Sequence, residues 1–160
     1  MNDAQIQAWL DQEDAAVAQT IRKHGLFIQF VGGHPDDVPP SFAYTVGLFG
    51  LGHAELVVLS TNPSTASGLL NHLGDRVRGG DNLVPGQLLT FDEWPHRITV
   101  EELPNPGEIV LAANRHYQRP PEVSVPAYQL TYDDLAGRFP WEPNYSNAGN
   151  LQPRPGSWRA

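Results

Sequence analysis

Cysteine is absent from the 160 residues. Disulfides, thiolate nucleophiles and cysteine-bound zinc or iron–sulfur centres are excluded with it. Positive charge is scarce: 10 Lys and Arg stand against 18 Asp and Glu, a net charge of −8. Affinity for nucleic acid comes from Lys and Arg neutralising phosphates, and no basic cluster here is longer than Arg22-Lys23. Neither nucleic acid nor an anionic membrane is therefore an expected partner. Long apolar runs are also missing, and none approaches the ~20 residues that span a bilayer. Met1–Thr20 has neither the basic start nor the apolar stretch of a signal peptide. With the missing cysteine, this points to the cytoplasm. Several catalytic signatures are lacking as well: G-x-x-x-x-G-K, G-x-G-x-x-G, H-E-x-x-H and G-x-S-x-G. His53-Ala54-Glu55 matches the H-x-E half of a zinc deaminase, whose cysteine half cannot exist here.

What is present describes a globular chain. Apolar residues make up 40% of it, and its length suits one domain with a core of its own. Helical spacing of Ile6, Trp9, Leu10, Ala16, Val17, Thr20 and Ile21 predicts a helix over 3–23, capped by Asp3 and stopped at Gly25. Leu26–Val31 reads as a strand, and the Gly- and Pro-rich stretch Gly32–Pro40 as a loop. Ser41–Leu48 alternates, with Phe42, Tyr44, Val46 and Leu48 on one face and the small Ala43, Thr45 and Gly47 on the other. A turn over Phe49–Gly52 leads to Glu55–Ser60, apolar enough for a strand buried on both faces. Asn62-Pro63 opens a helix with the stripe Ala66, Leu69, Leu70, Leu73 and Val77, ending at Gly79-Gly80. Gly86–Phe91 and Arg97–Leu103 form an expected hairpin around Asp92–His96. Asn105-Pro106, with Glu108 placed for a capping box, predicts a helix to Tyr117. Arg119–Pro126 reads as a linker and Ala127–Tyr132 as a last strand.

The expected fold class is α+β: a single sheet of five or six mainly antiparallel strands, about three helices packed on it, and an irregular C-terminal tail. The chain is read as one domain over 1–160, with the N-terminal helix in 1–25, the α+β core in 26–132 and the tail in 133–160 packed on the core. Phe139 and Trp141 have little reason to stand in such a tail unless they bury area, so both are expected to be buried.

Phe42-Ala43-Tyr44-Thr45-Val46-Gly47-Leu48, followed by Gly52-His53-Ala54-Glu55-Leu56, resembles the core motif of the bacterial family called domain of unknown function 4262. His24-Gly25, Asp134–Trp141 and Gln152-Pro153-Arg154 resemble further segments of that family, in order along the chain. Departures fall at Leu26, where the family has Trp, at Ala54, where it has Pro, and at Gln129–Asp134. The resemblance implies a single domain and no particular chemistry.

His53 and Glu55, two apart, would share a face in a strand, one titratable base beside one carboxylate. They are the candidate catalytic pair. Around them Tyr44, Thr45, Gly47, His53, Glu55 and Trp141 are the candidate ligand contacts. The small face leaves room, Gly50 and Gly52 let the turn expose N–H groups that would bind an anion or carbonyl, and burial would move the titratable groups toward neutrality. The bland readings are that Tyr44 is a core residue, Glu55 caps or pairs at the surface, and Trp141 pins the tail. His34, Asp36 and Asp37 carry hard-ligand chemistry, but the prolines beside them argue for a turn, and no metal site is expected. His72, His96 and His116 read as structural or solvent-facing. Two functions stay open: a module binding a small molecule or a protein, or an enzyme using His53 and Glu55 as an acid/base pair. The lack of a complete nucleophile–base–orienter set favours the first. No motif names a cofactor.

Overall fold

The computed structural model describes residues 2–32 and 40–160. Its first helix, α1 (Asp3–His24), is closed at both ends by its own sequence. Asn2, not Asp3, is the N-cap: its side chain accepts from the Gln5 N–H while the Gln5 side chain accepts from the Asn2 N–H. Gly25 ends the helix at φ 83°, a left-handed conformation that a side chain disfavours. Only the second half of α1 packs. Val17 is buried, whereas the expected stripe residues Ile6 and Trp9 stay exposed.

Among the described residues six strands follow: β1 (Phe27–Val31), β2 (Phe42–Val46), β3 (Glu55–Leu59), β4 (Leu88–Leu89), β5 (Ile98–Glu102) and β6 (Ala127–Tyr132). They form one sheet in the order β1-β2-β3-β6-β5-β4. All neighbours are antiparallel except β3 and β6, which run parallel. A parallel pair needs a crossover, and α2 (Pro63–Arg78) supplies its first leg. Asn62 caps that helix by accepting from the Thr65 N–H at 2.7 Å. The predicted stripe of α2, Ala66 to Val77, is buried throughout.

Strand alternation sends side chains into two apolar layers. Leu56 and Val58 of β3 and Ala43 of β2 face the layer that α2 covers. Val57, Leu59, Phe42, Tyr44 and Val46 face the other, which contains Val17 of α1 and Ala112 and Ala113 of α3 (Leu111–His116). The small face of β2 is thus covered by a helix. Leu48 departs from the expected alternation and joins the α2 side. The cause is Gly47, whose φ of 133° turns the chain after β2 has ended at Val46.

Two other expectations change. Asn105-Pro106 opens only a 3-10 turn over Pro106–Glu108, and α3 starts later, at Leu111. The Asn105 side chain does not cap; its amide donates to Glu108 Oε2 and to the Trp158 carbonyl. The tail is anchored at Phe139 as expected, but not at Trp141. Phe139 is buried, but Trp141 is 48% exposed, stacked on Phe139 at 4.9 Å with the Arg154 guanidinium over it at 4.4 Å. A second buried tail aromatic, beside Phe139, is Trp158, edge-on to Phe42 at 5.0 Å and donating from Nε1 to Gln129 Oε1.

Candidate functional site

The turn after β2 gathers its donors on a carboxyl group that belongs to the chain itself. Glu55, at the start of β3, is fully buried. Its Oε1 accepts from Thr45 Oγ1 at 2.8 Å and from the Leu48 N–H at 3.0 Å. Its Oε2 accepts from the Gly47 and Phe49 N–H groups, both at 3.1 Å. Thr45 Oγ1 in turn accepts from the Leu56 N–H. The next donor, the Gly50 N–H, goes to the Tyr117 hydroxyl. Burial pushes the Glu55 carboxyl up to about 7, against the pull of these hydrogen bonds toward the ionised form.

His53 is buried but serves a different contact. Its Nδ1 lies 2.7 Å from the Ala54 carbonyl, which only accepts, so Nδ1 carries the proton. Its Nε2 accepts from the Leu83 N–H at 3.1 Å. Both ring nitrogens are therefore engaged by backbone, and neither reaches Glu55. The Tyr44 hydroxyl, in the layer of Val57 and Leu59, accepts from the Ala112 N–H, and burial raises its pKa. Of the residues expected at a site, hydrogen bonds join Thr45, Gly47 and Glu55, and leave out His53, Tyr44 and Trp141. None of Tyr44, Thr45, Gly47, His53 or Glu55 lines any of three clefts on the surface. Trp141 does line one, a groove of about 520 Å³ beside Glu101 and Arg154. His34, Asp36 and Asp37 lie outside the described residues. Among the described residues, no three His, Asp or Glu side chains gather as metal ligands would.

A cleft of about 580 Å³ opens between α2 and the segment after β4. From α2 come Thr65, Gly68 and His72; from the segment come Phe91, Asp92, Glu93 and Trp94. Phe91 and Trp94 stand nearly at right angles, centroids 5.6 Å apart at 68°. His72 meets Phe91 in the same manner at 5.8 Å and 66°. The wall is braced from behind. Trp94 packs on His96 at 4.8 Å, and His96 Nδ1 donates to the Asp133 carbonyl at 2.7 Å. The Asp133 carboxylate accepts from both the N–H and Nε of Arg97. Gly68 is a glycine inside a helix with open space where its Cβ would be, so helix propensity is given up there and room is left in the cleft.

No sequence spacing singles out this cleft. Its local signal is two aromatics flanking two carboxylates at Phe91–Trp94, in a stretch that reads equally well as a plain hairpin loop.

The chain belongs to the family described as Domain of unknown function (DUF4262). That family's model matches residues 20–146. No curated protein and no solved structure matches the chain. The DUF4262 match takes in the Glu55-bound turn and the whole cleft. It leaves out most of α1 and the tail from Asn147, including Trp158.

Proposed function

We propose that this DUF4262 chain is a small-molecule binding module whose ligand sits in the cleft between α2 and Phe91–Trp94. The observation that carries the reading is the braced pair of perpendicular rings in a cavity of about 580 Å³. Cavities of this size suit small ligands, and a preformed wall lowers the cost of binding. The open space at Gly68, which costs helix stability, supports it further. A ligand at the turn of Thr45, His53 and Glu55 would have to displace contacts that already satisfy every donor named there, so that location is set aside. The same contacts leave no free acid/base pair, and nothing favours the enzyme reading over binding. The expected cellular location remains the cytoplasm, and the expected partner a small molecule rather than nucleic acid or membrane.

The test is a fragment library followed by amide shift mapping. Bound fragments are expected to move the amides of Gly68, His72 and Phe91–Trp94. Gly68→Leu should block them while keeping or raising helix stability, by up to about 1 kcal/mol. Shifts confined to Gly47–Leu56, or fragment binding untouched by Gly68→Leu, would overturn the reading.

A further inference from the structure

The chemistry of the cleft selects among ligands. We infer that it takes a small organic cation, an alkylammonium, an assignment that rests on the cleft being the binding site. Asp92 and Glu93 line it, and no Lys or Arg does. Among the described residues neither carboxylate takes part in an ion pair. An anionic ligand would meet two like charges on a chain of net charge −8. A neutral ligand would leave both carboxylates without a counter-charge.

The rings point the same way. An aromatic face carries partial negative charge and attracts an ammonium, most strongly at Trp. A flat sugar or base ring is best served by a single open platform. Phe91 and Trp94 instead meet edge to face at 68°, so the lining carries ring planes in two orientations, and His72 adds a third at 66° to Phe91. Such a lining suits a compact, roughly spherical head group such as a methylated ammonium. The carboxylates of Asp92 and Glu93 then supply charge at the rim, and the ring faces supply contact inside.

The test compares choline with 3,3-dimethylbutan-1-ol, its neutral isostere, by titration against the full chain. The readout is the indole N–H resonance of Trp94, assigned with Trp94→Phe. Choline is expected to bind roughly ten-fold more tightly than the alcohol, a preference that added salt weakens. The double variant Asp92→Asn, Glu93→Gln changes only exposed side chains and should bring the two compounds close together. Equal binding of both compounds to the parent overturns the cation assignment and leaves the binding reading intact. If neither shifts the resonance, the cation assignment falls, and the binding reading falls with it only if the fragment library also leaves the cleft silent.

Discussion

Glu55 is a buried carboxylate that its neighbours make tolerable. An ionised group taken from water into a protein interior costs several kcal/mol unless hydrogen bonds replace the water. Here three consecutive backbone N–H groups and one hydroxyl converge on two oxygens. Thr45 is the pivot of that arrangement, because its hydroxyl both donates to Glu55 and accepts from the Leu56 N–H. Thr45→Val keeps the shape and removes both functions. It should cost about 2–3 kcal/mol, since a buried backbone N–H loses its acceptor and the carboxylate loses a donor. Thr45→Ser, which keeps the hydroxyl, should cost clearly less. Urea unfolding of the two variants checks this, and equal stabilities would remove Thr45 from the role.

At the scale of elements, the tail depends on Trp158. Its ring is buried on Phe42 and its Nε1 is tied to Gln129, whereas Trp141 is half exposed. Trp158→Ala should lower the melting temperature by roughly 10 °C, following a loss of about 3–5 kcal/mol. Trp141→Ala should lower it by only a degree or two, with about 0.5–1 kcal/mol at stake. The reverse order in a thermal melt would mean that the tail is anchored at the other aromatic. Phe139 and Trp141 stand in a Pro- and Gly-rich stretch where an aromatic has little reason to exist unless it buries area, a rule that holds for Phe139 and fails for Trp141. Elsewhere legibility followed periodicity. The stripe of α2 and the bounds of β6 are readable because one face of each is apolar at regular spacing. The start of α3 was not, since Asn-Pro begins a 3-10 turn as readily as a longer helix. At the turn the ingredients were legible: room, backbone donors and a carboxylate heading for neutrality. That Glu55 would occupy those donors itself follows from the register of β2 on β3, which pairs Tyr44 with Val57 and which residue types alone do not specify. The cleft joins Gly68 to Trp94 across elements, and no sequence spacing reports that.

For the whole molecule, Glu55 and Asp134 set opposite limits on stability against pH. Glu55 has an ordinary pKa of 4.5, raised by burial to about 7 in the fold. Between those values the folded chain holds a proton that the unfolded chain has released. Its contribution is fully present below pH 4.5 and is lost as pH rises through 7, on the order of 3 kcal/mol in all. Asp134 behaves the other way. The Arg138 N–H first, with Ser146 and Ala136, holds its carboxyl at about 2, below the ordinary 3.8. The stability it adds is present above pH 3.8 and is lost as pH falls through 2. From these two groups, stability should peak at about pH 4–5 and decline toward pH 8, an acid-side optimum. Urea unfolding across that range reads the slope, and a carbon-detected titration of the Glu55 side chain reads its cause. Removing the Thr45 hydroxyl takes away one of the bonds that favour the ionised form, so Thr45→Val should move that titration further up. A Glu55 carboxyl that titrates near its ordinary value, or stability that rises steadily from pH 5 to 8, would show that the four donors outweigh burial, and the acid-side optimum would then be wrong.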